Sequence, residues 1–215
     1  MDLYYFGGRA IKLKVGSKAI IFDPASPGVK LNKIDQAGLS AVFYSDIVHQ
    51  DSDKQDYPKE VVKITMPGEF EVTGFSVVAR KTPPYNEVYG TISSNAYLVD
   101  MGLGNTIAYL PHSAKELDKE VVELLSGAKI LVIPIGGMGL SVEPEDAVAA
   151  IKDIAPEFVV PIHYDDGKTS YESPQAQLAE FLRLVGQEPE VFNGKLSLKS
   201  LTTMSNGFRI IEIKP

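Results

Sequence analysis

Three histidines, His49, His112 and His163, are the imidazoles that this chain offers for acid–base chemistry or metal binding. The 215-residue sequence has no cysteine, so a catalytic thiolate, a disulfide framework and a thiolate metal site are excluded. Any bound metal must use histidine, aspartate, glutamate, asparagine, glutamine or backbone oxygen. The neighbouring carboxylates Asp165 and Asp166 are also capable of acid–base work, although their glycine-containing surroundings are more typical of a solvated turn.

The composition is that of a globular protein with a sizeable core: 44% of residues are hydrophobic, 23% are charged, and the formal net charge is −7. Because no basic cluster is present to neutralise phosphates, we expect no nucleic-acid binding. The N-terminus lacks a charged leader before a long apolar run, and apolar stretches such as Ile130–Ile135 are too short to span a bilayer. We therefore expect a cytoplasmic protein that does not bind membranes.

Apolar and alternating runs, separated by glycine and polar turns, predict short strands over the first 110 residues. Two fully apolar runs, Ile130–Ile135 and Phe158–Ile162, are typical of strands buried on both faces. A last strand is expected at Phe208–Ile213. The early runs are Leu3–Phe6, Ala10–Val15, Lys18–Phe22, Ala41–Tyr44, Val61–Ile64, Glu69–Val72, Phe75–Ala79, Ala96–Val99 and Thr106–Leu110.

Three helices are predicted, all in the second half of the chain. Ser113 and Glu116 form a capping box before the first, and Pro144 suits the first turn of the second. Ser173 and Pro174 begin the third, which Gly186 ends. Strands followed by strand–helix alternation indicate an α/β fold with two sheets packed between helices. Because no low-complexity linker divides the sequence, residues 1–215 are predicted to form a single domain.

Four motifs occur in order along the chain: Ala19–Phe22 followed by Asp23-Pro24, Met66–Val72, Ile133–Gly137 followed by Glu145–Ala147, and Val160–Tyr164. Together they resemble the metallo-β-lactamase superfamily, particularly its lactonase-like bacterial metal-dependent hydrolases. The resemblance covers about residues 3 to 198. It implies a four-layer αββα sandwich with His163 at the end of a buried strand.

The resemblance also locates the positions at which the family holds two zinc ions. The loop after Ala41–Tyr44 matches the family's His-x-His-x-Asp-His motif, and His49 falls between its ligand positions, so His49 is expected to point away. An early Gly-His pair of the family is matched by Gly7 and Gly8, without the histidine. The remaining ligand positions are held by Asp46, Val48, Gln50, Asp51, Asn86, His112 and His163.

These replacements predict a largely degenerate metal site. A two-zinc centre is not expected, because the first metal position retains only Asp46 and Asn86. At the second position, Asp51, His112 and His163 are expected to converge. The favoured interpretation is that they are former ligands that hydrogen-bond to one another or to water, and the alternative is a single-metal ligand set. His112 and His163 are then the candidate catalytic residues.

Three functions remain open at this point. The first is a metal-free protein that needs no cofactor and binds a small molecule or a partner. The second is a remodelled hydrolase that uses one zinc or another divalent metal on a lactone, ester or phosphoester. The third is a homo-oligomeric structural protein, for which a large apolar surface patch away from the cleft is expected.

Overall fold

The computed structural model describes residues 1–31, 33–83, 93–112, 116–137, 141–202 and 207–215. Asn86, one of the predicted ligands, lies outside these residues, as do residues 113–115 of the predicted capping box. No helix in the described part of the chain is both long and apolar enough to cross a membrane.

The first sheet has six strands in the order β15-β1-β2-β3-β5-β6. The strands β1, β2 and β3 are antiparallel neighbours, and β5 and β6 then continue parallel to β3. Alternation of buried and partly buried residues along β1 matches a strand with one face on the core. The bounds are β1 Asp2–Tyr5, β2 Ile11–Val15, β3 Lys18–Phe22, β5 Leu39–Phe43, β6 Val62–Ile64 and β15 Lys195–Ser197.

The second sheet has eight strands in the order β14-β16-β12-β11-β10-β9-β8-β7. Its strands β7 to β10 are antiparallel, whereas β10, β11, β12, β16 and β14 run parallel. Every residue of the apolar strands β11 and β12 is buried, as expected for central parallel strands. The bounds are β7 Gly68–Val72, β8 Phe75–Thr82, β9 Ser94–Asp100, β10 Thr106–Tyr109, β11 Ile130–Pro134, β12 Phe158–Ile162, β14 Glu190–Asn193 and β16 Arg209–Lys214.

Two residues each of β4 (Val29–Lys30) and β13 (Ser170–Tyr171) form a small separate pair. The helices are α1 Ile47–Ser52, α2 Lys119–Leu125, α3 Pro144–Ile154 and α4 Leu178–Val185.

Local sequence explains where the helices begin and end. The side chain of Asp46 accepts the backbone N–H of His49 and so caps the N-terminus of α1. Proline is the first residue of α3, where its missing N–H costs nothing. Helix α4 ends at Gly186, whose φ of 67° is the left-handed conformation that glycine adopts without strain.

Apolar residues fill the space between the two sheets and also the space between the second sheet and helices α2, α3 and α4. A third, smaller cluster covers the outer face of the first sheet, where residues of connecting segments such as Leu31, Ile34, Tyr57 and Val61 pack on the strands. The predicted αββα sandwich is therefore confirmed. The layer over the first sheet is built mainly from connecting segments rather than from long helices.

Candidate metal centre

Four segments bring polar side chains together at one edge of the sandwich. Asp46 and His49 follow β5 of the first sheet, whereas His112 follows β10 and His163 follows β12 of the second. Because β10 and β12 run parallel to their common neighbour β11, their carboxyl ends meet at the same edge of the second sheet. Arg9 reaches this edge from the turn between β1 and β2.

Asp46, His49 and His112 form the closest group. Their potential ligand atoms all lie within 4.8 Å of one another, and all three residues are buried. One carboxylate oxygen of Asp46 accepts both the backbone N–H of His49, at 2.9 Å, and its ring Nδ1–H, at 2.8 Å. The other oxygen lies 3.6 Å from Nε2 of His112. Asp46 therefore fixes both the start of α1 and the orientation of the His49 ring.

The guanidinium of Arg9 lies against the two imidazoles. Its Nη1 is 2.8 Å from Nε2 of His49 and also contacts Nε2 of His112. A guanidinium can only donate hydrogen bonds, so both Nε2 atoms must accept and the ring proton of each histidine is on Nδ1. This tautomer agrees with the Nδ1–H that His49 donates to Asp46. Arg9 is only 4% exposed, so its cation belongs to the buried site.

The backbone that carries Arg9 is held by tyrosine hydroxyls. Tyr5 donates to the carbonyl oxygen of Gly8 at 3.2 Å, and Tyr171 accepts the N–H of Gly8 at 3.3 Å. The hydroxyl of Tyr109 lies 2.9 Å from the carbonyl oxygen of Arg9. Gly8 stands where the resemblance expects a histidine, and its φ of 55° allows the tight turn that aims Arg9 inward.

His163 completes the buried edge. Its residue is 4% exposed, and neither ring nitrogen has a hydrogen-bond partner among the described residues. The ring packs edge-on against Tyr171 at 5.2 Å between centroids. A buried imidazole without partners costs about 1–3 kcal/mol, so these nitrogens indicate a site for a bound group. The φ of His163, 51°, is a strained conformation of the kind that collects at functional sites.

The electrostatics of the site favour neutral rings at His112 and His163 beside an ionised carboxylate. Burial, together with the charge of Arg9, holds the pKa of His112 and of His163 well below the usual histidine value. Burial alone raises the pKa of Asp46, but the hydrogen bonds that it accepts from His49 outweigh burial and hold that pKa well below its ordinary range. Neutral imidazoles and an ionised carboxylate are the forms that bind metal ions.

The structure corrects part of the predicted ligand set. His49 was expected to point away, and that prediction is wrong: its ring is buried against Asp46 and Arg9. Asp51 was expected to be a ligand, but its side chain is exposed and is not part of the cluster. These differences arise because the loop forms helix α1, which begins at Ile47. Residues three apart lie on the same face of a helix, so His49 lies beside the N-cap residue Asp46.

The other predicted residues fall into two groups. Asp46 and His112 are brought together, with His163 at the same buried edge. Gln50 instead uses its side-chain oxygen to accept the hydroxyl of Thr65. Asn86 lies in the part of the chain that the structure does not describe. The sequence analysis did not identify Arg9 as a site residue. Its one indication was the pair Gly7-Gly8 directly before it, which predicts a turn.

The residues present fit one divalent cation. Two imidazoles and a carboxylate are a common ligand set for zinc and related metals, and the unpartnered nitrogens of His163 lie at the same edge. Within the described ranges, Asp46, His49 and His112 are the one group of three or more acidic or histidine residues close enough to hold an ion. The described residues therefore offer no second group of three histidine or acidic side chains for another metal.

Comparisons with known proteins agree with this fold. Residues 2–163 match the family model described as the beta-lactamase superfamily domain. No curated protein sequence matches the chain significantly.

Solved structures show the same fold at low sequence identity. A Thermotoga maritima protein described as a zinc-dependent hydrolase of the metallo-β-lactamase superfamily is 17% identical, with a TM-score of 0.66 and 99% of each chain covered. The isothiocyanate hydrolase of Delia radicum gut bacteria is 16% identical, with a TM-score of 0.64, and 86% of this chain and 91% of that one are covered. The metallo-β-lactamase fold protein YhfI from Bacillus subtilis is 13% identical, with a TM-score of 0.60 and coverage of 85% and 90%.

The matched segment includes the turn that carries Arg9, the cap and first turn of α1, and the strands that precede His112 and His163. It spans well over half of the sequence, and the two-sheet architecture agrees with it throughout. The chain therefore belongs to the metallo-β-lactamase superfamily.

Proposed function

We propose that this protein is a metal-dependent hydrolase that works with one divalent cation, held by Asp46, His49 and His112. The observation that carries the proposal is the convergence of three buried ligand atoms of suitable type within 4.8 Å. Zinc is the cation that best suits two imidazoles and a carboxylate. A lactone, ester or phosphoester is the substrate class that we expect.

Each residue of the site has a distinct part in this proposal. Asp46 accepts the Nδ1–H of His49, which leaves Nε2 of that ring directed at the centre of the site. A bound divalent cation supplies a Lewis acid and lowers the pKa of a coordinated water. His163 offers ring nitrogens that no described residue occupies, so it is suited to contact the substrate or to add a ligand. The buried surroundings strengthen these interactions by excluding water.

Metal content measured on loaded protein tests the proposal. Chelator-treated wild-type protein is incubated with excess zinc or manganese, desalted and analysed for bound metal. We expect one equivalent in the wild type, loss of that metal in His49→Ala and His112→Ala, and full retention in Asp51→Ala. Asp51 is the matched control, because it lies in the same short helix and its side chain is exposed. A wild type that takes up no metal under these conditions would contradict the proposal.

A second function is favoured by one observation, the presence of the Arg9 cation among the same ligand atoms. A guanidinium that already satisfies both imidazoles suits a metal-free protein that binds a small anionic molecule or a partner at this edge. The loading experiment separates the two functions. Metal uptake that depends on His49 favours the hydrolase, and its absence favours the metal-free protein.

A further inference from the structure

Arg9 and a metal ion need the same lone pairs. The guanidinium Nη1 contacts Nε2 of both His49 and His112. In each ring Nδ1 carries the proton, so Nε2 is the one nitrogen able to bind a cation. Hydrogen bonding to Arg9 and metal ligation through Nε2 are therefore mutually exclusive at each histidine.

The position of Arg9 is built into the fold rather than reached by a loose surface side chain. Hydroxyls of Tyr5, Tyr171 and Tyr109 hold the backbone of Gly8 and Arg9 from both sheets and from β13. A buried guanidinium is costly unless it meets acceptors and negative charge. Here the two imidazole nitrogens accept from it, and the ionised Asp46 lies within the same cluster.

We infer that Arg9 is an internal cation that competes with the divalent metal for His49 and His112. This inference rests on the proposed one-metal function. In the metal-free protein the guanidinium holds both imidazoles in the tautomer and orientation that ligation requires. Metal binding then requires the side chain of Arg9 to withdraw, and the like charges of the two cations oppose their joint presence. Arg9 thus lowers the metal affinity of a ligand set that it also keeps ordered.

Metal affinity of Arg9 variants tests the inference. Zinc and manganese, each added alone to chelator-stripped full-length protein, are titrated by calorimetry into wild type, Arg9→Met and Arg80→Met. Arg80→Met is the matched control, because it makes the same charge change at a partly exposed side chain that pairs with Glu69 on the strands β7 and β8. We expect Arg9→Met to bind one metal about tenfold tighter or more, because a like charge is removed from the site, and Arg80→Met to bind as the wild type does. Equal affinities in wild type and Arg9→Met would overturn the inference.

A second measurement needs no substitution. Nitrogen-15 NMR of the metal-free wild type reports which ring nitrogen of each histidine carries the proton. We expect unprotonated Nε2 in both His49 and His112 at neutral pH, since both accept from Arg9. A protonated Nε2 in either ring would overturn the inference even if Arg9→Met fails to fold.

The outcomes also separate this inference from the proposed function. Tight metal binding by Arg9→Met without hydrolysis of lactone, ester or phosphoester substrates would reject the hydrolase and leave the competition intact. Metal-dependent hydrolysis with equal metal affinity in wild type and Arg9→Met would reject the competition and leave the hydrolase intact. Absence of metal binding in both proteins would reject both.

Discussion

Asp46 performs two structural tasks with a single oxygen atom. It accepts the backbone N–H of His49 as the N-cap of α1, and it accepts the ring Nδ1–H of the same residue. A residue that both starts a helix and orients a ligand couples local folding to site geometry. Loss of its side chain should therefore reduce stability more than loss of an ordinary cap.

We expect Asp46→Ala to lower the free energy of unfolding by about 2–4 kcal/mol, the sum of a lost cap and a lost charged hydrogen bond. Asp46→Asn keeps a carbonyl oxygen that can cap the helix, so its loss should be roughly half as large. Urea denaturation of the metal-free proteins measures both values. Equal losses in the two variants would show that the cap does not contribute.

The buried histidines make stability depend on pH. Burial, with the charge of Arg9, holds the pKa of His163 well below its usual value. The unfolded chain takes up a proton near pH 6.5, whereas the folded chain does not, so acid favours unfolding. The free energy of unfolding is therefore unaffected by this histidine above about pH 6.5. Below that pH it falls, by up to about 1.4 kcal/mol per pH unit for each such histidine.

The His163→Asn variant isolates this effect, because asparagine tolerates the positive φ of this position. We expect a shallower fall of unfolding free energy between about pH 6.5 and 5 than in the wild type. Some slope should remain, since the pKa of His112 is shifted in the same direction. Denaturation of chelator-treated protein across this pH range measures the slopes. Identical slopes would contradict the buried, neutral state of His163.

At the residue scale, the sequence predicted that His163 follows a buried strand, as it does, but not which side chains surround His112. The loop after β5 was aligned with the family motif, so each of its side chains was expected to point in the same direction as its counterpart in the family. Helix α1 begins one residue after Asp46 here, and its turn reverses the directions of His49 and Asp51. The turn that carries Arg9 contacts Tyr109 and Tyr171, which are distant in sequence, as well as the nearby Tyr5, so no local pattern could predict the burial of Arg9.

At the scale of the elements, proline and glycine were the residues that best predicted where helices begin and end. Pro144 begins α3 and Gly186 ends α4, as predicted. The first and third predicted helices were placed too early, since α2 begins at Lys119 and α4 at Leu178. The short strands β14 and β15 were not predicted, because their residues are largely exposed and carry little apolar periodicity.

Gly136, just after the end of β11, packs closely against His163 of the site. It follows β11, and a methyl group there would overlap the carbonyl oxygen of His163 and the side chain of Gln175. We expect Gly136→Ala to cost more than about 2 kcal/mol of unfolding free energy, because the overlapped backbone has little room to move.

Gly186→Ala is the matched control at the end of α4. No heavy atom lies within 4 Å of a methyl group there, so the φ of 67° is the one source of strain. Its cost should be about 1 kcal/mol. Thermal unfolding of both variants, with metal uptake measured alongside, distinguishes them. A Gly136→Ala protein as stable as Gly186→Ala would contradict the close packing of β11 against His163.

At the scale of the whole molecule, the site exists only where the two sheets meet. Tyr109 of the second sheet places its hydroxyl 2.9 Å from the carbonyl oxygen of Arg9, and donates to the buried carboxylate of Asp23 at 2.7 Å. The backbone N–H of His163 is donated to the hydroxyl of Tyr5 in the first sheet, at 3.1 Å. Sheet packing and the position of Arg9 therefore depend on the same hydrogen bonds.

Tyr109→Phe tests this dependence. It leaves the ring in the core but removes a hydrogen bond to a buried carboxylate, so we expect a loss of about 1–3 kcal/mol in unfolding free energy. Because the hydroxyl of Tyr109 also lies against the carbonyl oxygen of Arg9, its removal should change metal affinity as well. Tyr57→Phe is the control, since its hydroxyl bonds Asp53 away from the sheet interface. A change of metal affinity in the control as large as in Tyr109→Phe would contradict this account.

The order of strands and helices, and with it the αββα class, followed from apolar patterning and from the four motifs. Patterning specifies which faces are buried, and two mostly apolar sheets have few ways to bury them. It does not specify which polar groups from different elements meet at the sheet edge. In the cluster, the local cap of α1 sets Asp46 beside His49, and tertiary packing of the two sheets brings His112 to them.

Anomalous X-ray diffraction at the zinc edge, from crystals soaked in excess zinc, tests the central claim most directly. We predict one anomalous peak, bonded to Nε2 of His49, to Nε2 of His112 and to the carboxylate of Asp46, with the guanidinium of Arg9 displaced from the two rings. Two peaks at the separation of a bridged zinc pair, or a peak beside Asp51 and away from His49, would contradict the one-metal centre.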